Sequence, residues 1–192
     1  MLGNYIYLMV RFYTYLEVYL GDLSNSVSLS EFESHFKTPH QTIKKHLEPF
    51  TKAKVLIEEK KERFLFYKLN LDNPLTREYL LICEKERLLS FLEKNTLFAR
   101  LYQELSQCFA GSKILIFGSS AEKKEYSDID LLIISKNKDI KPIIKKFQET
   151  YSVKIHAVQT EEKGLTKTFI QEIKQKHIIF NNHEYFMEVL YK

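Results

Sequence analysis

The sequence predicts a two-domain α/β (α+β) protein, with a helix-rich N-terminal domain closed by a hairpin and a C-terminal domain of sheet and flanking helices. Three observations predict it. Helix-start signals precede two short runs of strand character, residues 55–58 and 64–69. A leucine-rich helical stretch follows over residues 75–110. Two apolar runs, residues 114–117 and 131–134, then flank a polar loop. With 192 residues, 44% of them hydrophobic and 14% aromatic, the chain can bury one large core or two small ones, which excludes wholesale disorder.

The elements follow in order. Residues 6–20 carry Ile6, Val10, Tyr13, Leu16 and Leu20 near helical spacing, and Gly21-Asp22 ends that helix. Ser28-Leu29-Ser30-Glu31 starts a second helix that runs to about Phe36, because a Ser cap followed by an early acid satisfies free amides. Thr38-Pro39 starts a third, with Thr38 as cap and Pro39 at the first helical position, and Ile43, Leu47 and Phe50 on its buried face to about Ala53. The charged tip, residues 59–63, joins the two strand runs, and Asn73-Pro74 ends the hairpin.

Within residues 75–110 a break is expected at Lys94-Asn95-Thr96, Thr96 capping the next helix. The leucine stripe reads as core packing rather than a coiled-coil seam. Gly111-Ser112 turns into the first C-terminal strand. A helix over 139–150 and a strand over 153–159 follow. Thr160-Glu161-Glu162 has the pattern of a cap leading to a helix over 165–176. Residues 177–180 and 185–190 alternate too weakly to assign, and His177 and His183 read as chance placements there.

Residues 113–135, KILIFGSSAEKKEYSDIDLLIIS, carry the chemistry. Alternate side chains of a strand share a face, so Asp128 and Asp130 point one way and Ile129 the other. Two carboxylates on one face suit Mg²⁺, a hard cation usually held by one or two protein carboxylates plus substrate phosphates. Gly118 lets the backbone approach a phosphate, and the Ser119 hydroxyl and nearby amides can donate to it. The pattern G-S-x-A, a short polar loop, then S-D-I-D-L resembles the minimal nucleotidyltransferases of the DNA polymerase β superfamily. The matching positions are Gly118, Ser119, Ala121, Ser127, Asp128, Asp130 and Leu131, within a similarity covering about residues 113–160.

The resemblance implies a mixed sheet with flanking helices and transfer of a nucleoside monophosphate from an NTP to a hydroxyl. The Gly-Ser turn then holds the triphosphate, and Asp128 and Asp130 are the catalytic pair that binds Mg²⁺ (or Mn²⁺). The acceptor it implies is a protein hydroxyl or an RNA end. In two places the chain departs from the family pattern. Where a second loop glycine is common, Ala121 is followed by Glu122, Lys123 and Lys124, whose lysines can hold phosphate by charge instead. Where a later strand usually supplies a third carboxylate, residues 153–159 read VKIHAVQ and contain none. Either Lys154, His156 and Val158 or the apolar alternates face the acidic pair. His156 is a candidate metal ligand or base, against the commoner role of a packed strand histidine. Two readings therefore stay open: an active transferase, or a DNA-binding regulator whose degenerate transferase domain senses nucleotide.

Three helices followed by a hairpin with a charged tip resemble a winged helix-turn-helix in layout and hydrophobic spacing. That places the winged helix over residues 1–72, a connecting helix over 73–94 and the transferase-like domain over 95–192. The resemblance implies contact with double-stranded DNA. His40 and Gln41 lie in the first turn of the recognition helix, with Lys44 and Lys45 outward and Lys60, Lys61 and Arg63 on the wing. Residues 37–70 hold nine bases and four acids, +5, more than the +4 of the whole chain. A protein-docking or dimerisation role is the competing use of such a module. The aromatic first helix (Tyr5, Tyr7, Phe12, Tyr13, Tyr15, Tyr19) is a candidate homodimer contact. Cys83 and Cys108 lack metal-site spacing and read as free thiols of a reducing compartment. With Arg11 and Glu17 in its apolar N-terminal segment, the chain is expected to be cytoplasmic, with no membrane partner.

Overall fold

The structure is a computed structural model that describes residues 13–122, 127–135 and 140–191. It divides into two compact units, Met1–Glu86 and Arg87–Lys192.

In the first unit a 3-10 helix (Tyr13–Tyr19) precedes β1 (Ser26–Ser28), α1 (Leu29–Phe36), α2 (His40–Lys52), β2 (Leu56–Lys61) and β3 (Phe64–Leu69), and α3 (Pro74–Lys94) begins there. The expected helix over 6–20 is thus a 3-10 helix where it is described, and its earlier residues lie outside the described ones. The helix expected at Ser28 is α1. The Glu31 amide donates to Ser28 Oγ (3.3 Å) and the Ser28 amide to Glu31 Oε2 (2.7 Å), a reciprocal capping box. α2 starts one residue later than expected. Pro39 is its N-cap, and the Thr38 hydroxyl donates backward to Phe36 O (3.0 Å) instead of capping forward. The lysine between these helices, Lys37, bends the chain at φ 50°.

β2 extends through Lys61, so the hairpin tip shrinks to Glu62-Arg63, with Glu62 at φ 55°. The three strands pair antiparallel in the order β1-β3-β2. β1 was missed because three residues are too few to show alternation. Its Val27 sits opposite Tyr67 and is buried with Phe32, Ile43, Leu47 and Phe50. Phe32 meets the Tyr67 ring edge-on at 6.1 Å between centroids. Near the end of this unit, Glu86 on α3 is buried and accepts the amides of Thr14 and Tyr13. Burial pushes its carboxyl up to about 7, against the lowering effect of those two amides.

The second unit comprises the rest of α3, then α4 (Thr96–Ser106), β4 (Lys113–Phe117), β5 (Ile129–Ile134), α5 (Lys141–Tyr151), β6 (Ile155–Thr160), α6 (Lys167–Gln175), β7 (His177–Ile179) and α7 (His183–Leu190). The break after Lys94 is present, but Asn95 is the N-cap position of α4 and Thr96 its first helical residue. The cap of α6 is Thr166, whose side chain accepts from the Phe169 amide, and not the Thr160 region, which forms a 3-10 turn at Glu162–Gly164. The sheet is mixed, in the order β6-β5-β4-β7: β5 and β6 are parallel, the other two pairs antiparallel.

Both faces of this sheet are covered. Ile114, Ile116, Leu131 and Ile133 pack with Leu101, Leu105, Ile144 and Phe147 on one side. Leu115, Leu132 and Ile134 pack with Ile173, Phe186 and Leu190 on the other. Burial on two faces is why β4 and β5 read as continuous apolar runs. The unassigned C-terminal stretch supplies edge strand β7 and helix α7. His177 and His183 are core residues, at 2% and 6% exposure; the His177 ring lies 3.1 Å from Ile173 O through Nδ1. Asn181 fastens the start of β4, accepting the Ile114 amide at 2.7 Å and donating to Ser112 O at 2.8 Å.

Candidate functional site

The end of β4 and the start of β5 bring the Gly-Ser turn onto the acidic pair. Phe117, the last residue of β4, is paired with Asp130, and the chain leaves the strand at Gly118. Gly118 has φ +69°, and its amide donates to Lys176 O at 3.1 Å. A 3-10 turn, Gly118–Ala121, follows, steadied by the buried Ser120 hydroxyl donating to Phe117 O (3.2 Å). A Cβ at position 118 would lie 2.8 Å from Asp130 Oδ2. Both the left-handed backbone and this close approach therefore demand glycine. Gly118→Ala should lower the unfolding free energy by about 1–2 kcal/mol, the usual cost of left-handed backbone for a residue with a Cβ. Urea unfolding measures it, and an unchanged midpoint would contradict the turn geometry described.

Asp128 immediately precedes β5 and Asp130 is its second residue, half-buried at 27% and 24% side-chain exposure. The Ser127 hydroxyl donates to Asp128 Oδ1 at 2.8 Å. β6 lies parallel to β5 with His156 in register beside Asp130. Of the two faces of β6 that the sequence left open, the one carrying Lys154 and His156 meets the acids. His156 Nδ1 is 3.3 Å from Asp130 Oδ1, and Lys154 Nζ is 3.7 Å from Asp128 Oδ2. Each carboxylate thus has one basic partner from the neighbouring strand.

Among the described residues no group of three or more His, Cys, Asp or Glu is gathered closely enough to hold a metal ion. Two carboxylates are the oxygen donors on offer, a set that fits Mg²⁺ when substrate phosphates complete its shell. Sequence reasoning named Lys154 only as one option for a face and missed Lys176. Lys176 caps the turn through its carbonyl and pairs with Glu122 at 2.7 Å. Nothing local marks it; only the β7 pairing brings it to Gly118. Lys123 and Lys124 belong to the loop outside the described residues. A groove of about 480 Å³, lined in part by Lys113, Ser135, Glu161 and Glu162, lies at the opposite end of β4 and β5 and does not include the acidic pair.

In the first unit His40, Gln41, Lys44 and Lys45 are all exposed on α2. Gln41, Lys44 and Lys45 line a groove of about 440 Å³ with Glu48, Thr51 and Glu58. Glu48 pairs with Lys52 at 2.7 Å, and the hydrogen bond from that ammonium, with its charge, holds the Glu48 carboxyl below the usual range. On the hairpin Lys60, Lys61 and Arg63 are exposed. Lys61 and Arg63 lie over the rings of Phe66 and Phe64, at 5.3 and 5.1 Å. Glu59 is engaged by Lys68, so part of the hairpin's acidity is internally offset.

A mixed sheet thus joins a left-handed glycine turn to two acids at the start of the next strand. Residues 98–186, within the second unit, are similar to the family described as "Nucleotidyltransferase domain". No curated protein and no solved structure matches the chain. No helix among the described residues is long and apolar enough to cross a membrane.

Proposed function

We propose that the second unit transfers a nucleoside monophosphate from an NTP to a hydroxyl of a protein or RNA acceptor, and that Asp128 and Asp130 carry the reaction. The observation that supports it most directly is the 2.8 Å between a Cβ built at position 118 and Asp130 Oδ2, which puts the Gly-Ser turn and the acid within one small ligand's reach. Mg²⁺ or Mn²⁺ held by Asp128 and Asp130 would offset charge on the triphosphate.

The chain's own residues do the positioning. The Gly118–Ala121 turn offers the Ser119 hydroxyl and backbone amides to phosphate oxygens, and Ser127 orients Asp128. The acceptor oxygen bonds to the α-phosphorus as the bond to the β-phosphate oxygen breaks. Pyrophosphate leaves and the hydroxyl proton passes to water. Such transfer depends mainly on orientation and on charge placed in advance. Incubation with each α-32P-labelled NTP, Mg²⁺ or Mn²⁺ and cell lysate as acceptor pool tests it. Label moved to a macromolecule supports transfer, whereas metal-dependent NTP binding without transfer favours a nucleotide-sensing regulator. The absence of an acid on β6 is the observation that keeps this second reading in play.

The same proposal takes the first unit as a winged helix-turn-helix on double-stranded DNA. Its support is the order helix, strand, helix, helix, hairpin with sheet order β1-β3-β2, and the exposed basic residues of α2 and the hairpin. Gln41 and His40 would meet base edges, and Lys44 and Lys45 phosphates. Lys44→Ala with Lys45→Ala should weaken duplex binding and lower the slope of log K against log salt by about 2. Binding that is absent or independent of salt would point to protein docking, including self-association, instead.

A further inference from the structure

We infer that the acidic site takes a single divalent ion per chain and that Lys154 supplies the second positive charge to the nucleotide's phosphates. The inference rests on the transferase reading above and concerns how that site is charged. Two-metal sites hold ions ~3.5–4 Å apart and need enough oxygen donors to share between them. Here Asp128 and Asp130 are two carboxylates, and no third acid joins them among the described residues. One ion, completed by substrate phosphates, uses both.

The strand beside them presents bases where a second ion would need acids. Lys154 Nζ lies 3.7 Å from Asp128 Oδ2, and His156 Nδ1 lies 3.3 Å from Asp130 Oδ1, where the imidazole acts as a positioning residue. Lys154 is 76% exposed and therefore able to swing. With Asp128 engaged by a divalent ion, its charge would no longer hold the Lys154 ammonium, leaving Lys154 free to turn toward triphosphate oxygens. A triphosphate carries more negative charge than one divalent ion offsets, and lysine binds phosphate as a compact point charge. Lys176, by contrast, is already paired with Glu122 at 2.7 Å beside the turn.

The test counts bound Mn²⁺ by electron paramagnetic resonance and measures binding of an NTP analogue with a methylene between its α- and β-phosphorus atoms. Wild type should bind one Mn²⁺ per chain with the analogue. Lys154→Ala should keep that stoichiometry, bind the Mn²⁺–analogue about tenfold more weakly, and bind Mn²⁺ alone about threefold more tightly because a competing charge is gone. Lys154→Arg should restore most of the analogue affinity. The exposure of Lys154 makes these variants safe for folding, and opposite shifts in the two affinities are not the mark of a structural defect. Two Mn²⁺ per wild-type chain, or unchanged analogue binding by Lys154→Ala, would overturn the inference and leave the transferase reading standing. No metal-dependent analogue binding by any variant would overturn that reading itself.

Discussion

Replacing Asp128 and Asp130 together by Asn should lower nucleotidyl transfer by at least about 10³-fold, the scale on which removing preorganised charge from a reacting centre acts. The change isolates charge from shape. Asn keeps the size of Asp, and its side-chain oxygen can still accept the Ser127 hydroxyl that now donates to Asp128 at 2.8 Å. The two bases left without carboxylate partners, Lys154 and His156, are 76% and 64% exposed, so water takes over their solvation. Neither acid belongs to the hydrophobic clusters that hold the sheet. Unfolding midpoint and circular dichroism should therefore match wild type while transfer disappears and analogue binding loses its dependence on metal. A double variant that transfers as well as wild type would mean that the reaction is carried elsewhere.

Part of this site is legible in the chain because the local rules are strong there. Gly118 is forced by φ +69° and by the close approach of Asp130, and both constraints surface as a Gly-Ser directly after an apolar run. The acids two apart before an apolar run are equally visible. What the sequence leaves undecided is which face of β6 meets them. Lys154 and His156 alternate with Val153, Ile155 and Ala157, and only the pairing of Asp130 with His156 settles the matter. A one-residue slip would have presented the apolar set.

The same distinction runs through the fold. The Ser28–Glu31 capping box is a local reciprocal pair, and it forms as read. Thr38 had the right residue type for a cap, but its hydroxyl finds the Phe36 carbonyl, leaving Pro39 to start the helix. The C-terminal edge strand escaped because it is three residues long and begins with a buried His, a polar type that pattern reading places outside. Elements built from tertiary pairing leave little periodic trace, whereas capped or doubly buried ones leave a strong one.

Glu86 should make the stability of the first unit depend on pH. The carboxyl is buried at 6% exposure, its Oε2 has no hydrogen-bond partner among the described residues, and burial pushes its pKa from 4.5 to about 7 despite two backbone amides that favour the charged form. Because the folded-state value is the higher one, the folded chain holds a proton that the unfolded chain has released at intermediate pH. The stabilisation is fully present below pH 4.5, declines as pH rises, and is lost once pH passes about 7. The span corresponds to a loss on the order of 3 kcal/mol. Glu86→Gln keeps an oxygen for the Thr14 and Tyr13 amides and carries no charge at any pH. Urea unfolding of the two proteins should therefore give similar stability near pH 4.5. The variant should gain on wild type through pH 6 and 7, with the difference flat by pH 8. Taking the difference removes other titrations, including His46, which burial lowers and which acts in the opposite direction. A constant difference across this range would show that Glu86 folds in its charged form, with the two amides outweighing burial.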